Sequence, residues 1–359
     1  MKIRNSTPWI FSPKFDALAI MGPPVFATLV VAIFGGRLAQ VEQTPTWLWI
    51  ILVLGIDVAH VYSSLYRTYF DKDEFAKRRT LYLVAPALSW LGGVAIYAAF
   101  GQAIFWSGVA YFAIYHFVRQ QYGFFMLYRR GEPTVGWEYR LDQLVIYLAT
   151  LHPLMYWHTH PRSFQWFSEF EVVRIPWVWP EVVVRVIYIL SLALFAFKEL
   201  RRAKATGTVN IGKAAMLAIT AIAWTTGIII FNGDLTFTLI NIVTHGVPYM
   251  ALVWIYQYRK RAKVEPGRNP LLKFFQLRYV PLYVGSLVAL AFMEEGLWDW
   301  FVWKEQPELF GAQHFVLPGL VLTFLVPLLT MPQVTHYVLD AYIWRVNSKG
   351  KEEIRALIG

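Results

Sequence analysis

Apolar runs of about 20 residues follow one another along almost the whole chain. A helix needs roughly 20 apolar residues to cross the hydrocarbon core of a bilayer. Hydrophobic residues make up 57% of the 359 residues and charged residues only 16%, whereas soluble domains carry about 25% charged residues. The pattern therefore predicts an all-α, polytopic integral membrane helical bundle that forms a single transmembrane domain over residues 1–359.

The positions of these runs predict ten membrane spans. The distribution of Lys and Arg tests this assignment of spans, because the cytoplasmic loops of membrane proteins are enriched in both residues. With the N-terminus inside, 27 of the 33 Lys and Arg fall in inner segments and only 4 in outer segments, so both termini are expected to be cytoplasmic. The Trp and Phe residues of the long outer loop 159–180 predict an interfacial segment there. The predicted spans are 16–36, 46–66, 80–101, 104–127, 140–158, 181–199, 212–231, 235–257, 279–299 and 314–334, the last continuing as a helix to about 346.

The net charge of +10 and the absence of cysteine narrow the function classes. The basic residues lie between apolar runs, so membrane topology and anionic lipid explain them, and no nucleic-acid partner is expected. Without cysteine, the chain cannot form disulfides, thiolate metal sites or a cysteine nucleophile. The sequence also lacks the common phosphate-binding, dinucleotide-binding and hydrolase motifs.

Four predicted spans each carry one deep histidine, namely His60, His116, His245 and His336. Ionisable groups inside a bilayer are costly and usually mark functional sites. All four spans are even-numbered and so run in the same direction. By residue count, the first three histidines lie at similar depth, whereas Pro327 and Pro332 leave the depth of His336 open. Four imidazoles on parallel helices are therefore predicted to converge on one metal ion.

Each of these histidines has a polar residue one helical turn away on the same face. Such neighbours can hold the second ring nitrogen of an imidazole that binds a metal. Asp57, Gln120 and Asp340 are expected in this supporting role, although either aspartate could itself be a ligand. Tyr249 could line the pocket or donate a hydrogen bond, and Arg119 could neutralise an aspartate or hold an oxygen-bearing substrate group.

Other interpretations of the same residues stay open. A buried histidine is often a hydrogen-bonded packing residue, and four of them could ligate haem, relay protons or bind substrate without metal. Asp340 could instead cap the last helical turn near the inner interface. His158 and His160, at the outer end of the fifth span, could form a second site or lie in a wet interface. Glu294 and Glu295 are expected to face water or to pair with Arg185.

At the four histidine segments, the chain resembles the Brp/Blh family of bacterial and archaeal β-carotene cleaving dioxygenases. That family consists of small polytopic membrane proteins with dispersed essential histidines and an iron requirement. Two departures are visible: Asp57 precedes the first histidine rather than following it, and Tyr249 stands where the family has a second histidine. The matching stretches are Asp57 to His60, Tyr115–His116–Phe117, Thr244–His245–Gly246, and His336 with Asp340.

The residues and the resemblance together predict a membrane-embedded non-haem metal oxygenase. Fe(II) is the expected cofactor, with another divalent metal such as Zn as the alternative. The expected substrate is a hydrophobic lipid or an isoprenoid or carotenoid-like molecule, and the expected location is a bacterial inner membrane. A transporter or channel with a His/Asp proton or ion site, and a bis-His haem or quinone electron-transfer protein, are the alternatives.

Overall fold

The computed structural model is mainly helical, with 83% of the described residues in helices, as the sequence predicts. It describes residues 4–41, 44–160, 172–262, 271, 274–312 and 315–344. Half of the predicted interfacial segment 159–180, namely 161–171, therefore lies outside the described residues. The only strands in the described part of the chain are two short ones, β1 (Arg4–Asn5) and β2 (Thr208–Val209), which pair in parallel.

Thirteen α-helices are present in the described residues. The first six are α1 (Pro13–Phe15), α2 (Gly22–Leu38), α3 (Thr46–Trp49), α4 (Ala59–Arg67), α5 (Lys72–Lys77) and α6 (Arg79–Arg129). The others are α7 (Trp137–Thr159), α8 (Trp179–Thr206), α9 (Ile211–Trp224), α10 (Asp234–Arg261), α11 (Val280–Trp298), α12 (Pro307–Phe310) and α13 (Gly319–Ile343). Four π-helical segments continue neighbouring helices: Asp16–Met21, Ile50–Val58, Thr225–Ile230 and Asp299–Trp303. A 3₁₀ turn, Leu277–Tyr279, precedes α11.

Eight helices in the described residues are long and apolar enough to cross a membrane, which indicates a membrane protein. The 51-residue α6 covers two predicted spans, and its helical backbone is interrupted at Gly101, where φ is +79°. Glycine adopts such a φ without the steric cost that a Cβ imposes. Helix α7 matches the predicted span 140–158 but is not among the eight, so the count of ten spans stays a prediction.

The chain divides into two compact units. The first consists of Met1–Glu42 and Ala113–His245. In it, α7 packs against α8 and α9, and α9 also packs against α2. An apolar core includes Phe117 of α6, Trp157 of α7 and Phe237 of α10.

Buried charges form a network in the same unit. Asp142, with no exposed side-chain surface, pairs with Arg129 at 2.7 Å and with Lys198. Lys213, equally buried, pairs with Glu132 at 2.8 Å and with Glu199 at 2.7 Å. Buried charges are tolerated when they are paired in this way, so the network ties α6, α7, α8 and α9 together.

The second unit consists of Gln43–Phe112 and Gly246–Gly359. Its helix α4 packs against α11 and α13. Tyr82 and Ala85 of α6 share a small core with Leu339 and Ile343 of α13. The guanidinium of Arg67, at the end of α4, contacts Glu74 at 3.3 Å and lies 4.0 Å from the Tyr256 ring centre. These contacts fix α4 and α13, which carry two of the four predicted histidine ligands.

Candidate metal centre

His60 and His336 form a close pair of imidazoles in the second unit. His60 is the second residue of α4, which directly follows the π-helical segment Ile50–Val58. His336 lies in α13, beyond Pro327 and Pro332. Each histidine is 1% exposed, and the ring centres are 5.0 Å apart with the planes 79° apart. Short π-helical segments are frequent at functional sites, and this one ends two residues before His60.

His116 and His245 form a similar pair in the first unit. His116 lies in α6 and His245 in α10, and they are 4% and 2% exposed. Their ring centres are 4.8 Å apart, with the planes 77° apart. The ring of Phe117 lies 4.5 Å from that of His245, so this pair adjoins the apolar core that contains Phe117.

One ring nitrogen from each of the four histidines lies within 4.8 Å of the corresponding atoms of the other three. These four histidines therefore form one group in the structure, and their role as metal ligands stays a prediction. All four side chains are buried, and the donors are imidazole nitrogens, which suit Zn, Cu, Fe and Ni. A buried group of this kind could hold one metal ion, and its geometry alone does not select among these metals.

Tyr249 lies against the His60 and His336 pair. Its ring centre is 5.9 Å from that of His60 and 5.0 Å from that of His336, with interplanar angles of 83° and 88°. Its hydroxyl donates a hydrogen bond to Oδ1 of Asp340 at 2.5 Å. This hydrogen bond connects α10 to α13. Its acceptor, Asp340, is the residue that the sequence predicts to support the imidazole of His336.

The two aspartates lie beside their expected histidines at distances longer than a hydrogen bond. Oδ1 of Asp57 is 3.9 Å from Nδ1 of His60, and Oδ2 of Asp340 is 3.8 Å from Nε2 of His336. Nitrogen–oxygen hydrogen bonds are about 2.7–3.2 Å long. Both carboxylates are therefore placed for electrostatic contact with the imidazoles, and their supporting role stays a prediction.

Gln120 contacts the main chain of a histidine helix. Its amide nitrogen donates to the carbonyl oxygen of His245 at 2.9 Å, whereas the sequence paired it with the His116 ring. Pro248 stands inside α10, and a proline within a helix removes a hydrogen bond to the carbonyl four residues earlier, that of Thr244. Neighbouring side chains commonly satisfy the backbone near such prolines in membrane helices. Gln120 thus supports α10 directly beside His245.

Arg119 has an exposed side chain with aromatic neighbours. Its guanidinium donates to the hydroxyl of Tyr147 and lies 4.8 Å from the centre of the Tyr122 ring. These contacts join α6 to α7. Its expected roles in neutralising an aspartate and in holding a substrate group stay predictions.

The remaining described histidines have local contacts of their own. Nε2 of His152 contacts Glu181 Oε1 at 2.8 Å. His158 contacts the Val173 carbonyl through Nδ1 at 2.9 Å, and the His160 ring stacks on Tyr156 at 3.9 Å. No second group that could hold a metal is found in the described ranges, and His158 and His160 instead have separate local contacts.

Two features of the site region were not predicted. Glu294 accepts hydrogen bonds from the Tyr62 hydroxyl at 2.5 Å and from the Trp298 indole at 3.3 Å, whereas the sequence analysis placed it in water or beside Arg185. Gly246 is the second feature: a Cβ there would lie 2.6 Å from Cγ2 of Ile56 and 3.5 Å from Cβ of His60. The dipeptide His245–Gly246 was the available signal, because glycine permits close helix approach in membranes.

The fold and the site together define a class: a helical membrane protein with a buried four-histidine group that could hold a metal ion. Comparison of the chain with protein-family models, with curated proteins and with solved structures gives no match.

Proposed function

We propose that this protein is a membrane-embedded non-haem metal oxidoreductase, an iron-dependent oxygenase, in which His60, His116, His245 and His336 bind one ion. The observation that carries the proposal is the convergence of four buried imidazoles within 4.8 Å. Ionisable groups inside a bilayer usually mark functional sites, and imidazole nitrogens are ligands that suit several transition metals.

The donor set suits a metal ion in its chemistry. Metal–nitrogen bonds are about 2.0–2.1 Å long in imidazole sites, so nitrogens as far apart as 4.8 Å would have to move closer together to bind one ion. The chain has no cysteine, so no thiolate competes for the ion. An all-imidazole set suits iron among several transition metals, and a bound iron ion would supply dioxygen-dependent oxidation chemistry.

The surroundings of the four histidines favour an apolar substrate. The four side chains are at most 4% exposed, so bulk water is excluded from them. Phe117 contacts His245, whereas Tyr249 and Asp340 provide the polar groups near His60 and His336. A molecule that partitions into the bilayer and carries a long apolar chain suits this environment. We therefore propose a lipid or an isoprenoid as substrate, with a carotenoid-like molecule suggested by the Brp/Blh resemblance.

The proposed location is the cytoplasmic membrane of a bacterium, with both termini in the cytoplasm. The distribution of 27 inner and 4 outer Lys and Arg supports this orientation. The long apolar helices support insertion into the bilayer.

Metal analysis with an optical spectrum, on full-length protein purified in lipid nanodiscs, tests the proposal. We expect about one iron per chain and no Soret band. A Soret band would replace the proposal with a haem protein. Metal-free protein that conducts ions or protons across vesicle membranes would replace it with a transporter. Oxygen uptake with isoprenoid substrates, compared between the wild type and His116→Ala, then tests the oxygenase activity.

A further inference from the structure

Tyr249 is an aromatic side chain that contacts the imidazoles of both His60 and His336. It is 1% exposed, and its ring is nearly perpendicular to those of His60 and His336. A tyrosine ring has no rotational freedom beyond two side-chain torsions. Once the ring is fixed, its edge and face therefore restrict the positions that the two imidazoles can occupy.

The hydroxyl of Tyr249 fixes that ring to the helix that carries His336. It donates to Asp340, which lies one turn after His336 in α13. A buried hydroxyl is costly in an apolar environment unless it has a hydrogen-bond partner. A phenylalanine would fill nearly the same volume without that requirement, so packing alone does not account for the Tyr249–Asp340 bond.

We propose that Tyr249 and Asp340 form a positioning pair that holds the imidazoles of His60 and His336 in the arrangement that binds the metal. Asp340 anchors the phenol, and the anchored ring orients the two histidines. This inference rests on the proposed metal site. It assigns a role to residues that do not themselves have to touch the ion, because groups around metal ligands fix their orientation and raise metal affinity.

The first test is the Zn²⁺ affinity of full-length protein in nanodiscs, stripped with a chelator and titrated against a chromophoric competitor. Tyr249→Phe is expected to weaken Zn²⁺ binding about 10–100-fold. The control is Tyr283→Phe, which removes another buried hydroxyl of the same unit, one that donates to the Met250 carbonyl at 3.3 Å. The control should keep wild-type affinity. Wild-type affinity in Tyr249→Phe would overturn the inference.

A double-mutant cycle tests whether the two residues act as one unit. Asp340→Leu removes the same hydrogen bond from its other end, so it should also weaken Zn²⁺ binding, and the double variant should bind no more weakly than the weaker single variant. If the losses of Zn²⁺ affinity in the two single variants multiply in the double variant, the two residues act independently and the pairing is overturned. If Tyr249→Phe folds poorly, wild-type affinity in folded Asp340→Leu still overturns it.

Co²⁺ provides a second readout that a purely structural role would not change. The visible spectrum of bound Co²⁺ reports the ligand geometry, so Tyr249→Phe should shift its bands while Tyr283→Phe should not. A wild-type protein that binds neither Zn²⁺ nor Co²⁺ would instead contradict the proposed function. The failure of the two proposals is thus distinguishable.

Discussion

The imidazole rings of His60 and His336 lie 5.0 Å apart and nearly perpendicular, although the two residues come from opposite ends of the chain. Helices α4 and α13 pack against each other, and Tyr249 contacts both rings. Fixed aromatic neighbours leave an imidazole few alternative orientations. A pair held in this way loses little conformational entropy when it binds an ion.

Single substitutions of the four histidines should abolish stoichiometric metal binding. Alanine at any one of them removes a ligand, so metal affinity should fall by more than the roughly 10–100-fold seen for supporting residues. His152→Ala is the matched control, since His152 is also buried but contacts Glu181. Metal content per chain after purification measures the effect. Full occupancy in two or more of the four variants would contradict a shared site. The four targets are His60, His116, His245 and His336.

Gly246→Ala should destabilise the protein. The added Cβ would lie 2.6 Å from the Ile56 side chain and 3.0 Å from the Ile56 carbonyl oxygen, so α10 or the π-helical segment must shift. Overpacking of this kind costs about 1–3 kcal/mol. Gly285→Ala in α11 is the control, since nothing lies within 4 Å of its added Cβ and alanine favours the helix. Thermal unfolding in detergent compares the two, and equal midpoints would refute the close-packing argument.

Asp142→Ala should be among the most destabilising substitutions in the first unit. It leaves the buried cations Arg129 and Lys198 without their shared carboxylate, and removing one partner of a buried ion pair costs about 3–5 kcal/mol. Glu138→Ala is the control, because its ion pair with Arg201 is largely exposed and such pairs contribute about 0–1 kcal/mol. Detergent-solubilised protein should show a much lower unfolding temperature for Asp142→Ala only.

Low pH should weaken the same network of buried charges, because it protonates Glu132. This residue lies in the loop between α6 and α7. Burial alone would raise the pKa of Glu132, but Lys213, Asn210 and Arg202 outweigh it and hold the pKa below its ordinary value. Its contribution to stability is therefore present above the ordinary glutamate pKa and is lost as pH falls through the lowered value. Glu132→Gln should show a smaller loss of unfolding temperature between neutral pH and pH 3 than the wild type. An identical loss of unfolding temperature in Glu132→Gln and the wild type would show that Glu132 does not contribute to the acid sensitivity.

The orientation in the membrane can be tested with reporter fusions. Fusions after residues near 72 and 205 should report a cytoplasmic location, as should one near 265, and a fusion near 168 should report the outside. The reason is the concentration of Lys and Arg in the inner segments. Residues 168 and 265 lie outside the described residues, so this prediction rests on charge alone. A single reversed signal would invalidate the map.

The sequence was sufficient for the fold class and for the four histidines, because apolar length and isolated intramembrane histidines are both strong local signals. It did not predict which groups are contacted by the polar residues that lie one helical turn from the histidines. Helical spacing placed Gln120 beside His116, but its amide reaches the His245 main chain near Pro248. Spacing within one helix identifies residues on a common face, whereas contacts between helices depend on packing that no periodicity records.

Asp57 illustrates a second limit. Its spacing of three residues from His60 assumes α-helical geometry, but the π-helical segment that contains Asp57 ends at Val58. The hydrogen-bond pattern of a π-helix differs from that of an α-helix, so the side-chain directions before His60 are altered. The apolar run IILVLG contains no sequence signal that predicts a π-helical segment.

The two carboxylates near the histidines have a consequence for charge balance. Four imidazoles contribute no negative charge, so an ion held by them alone would keep its full positive charge in a medium of low polarity. Asp57 and Asp340, each within 4 Å of a histidine nitrogen, supply two negative charges when ionised. A divalent ion is then electrically neutralised by the protein itself, whereas a trivalent ion would require an additional anion.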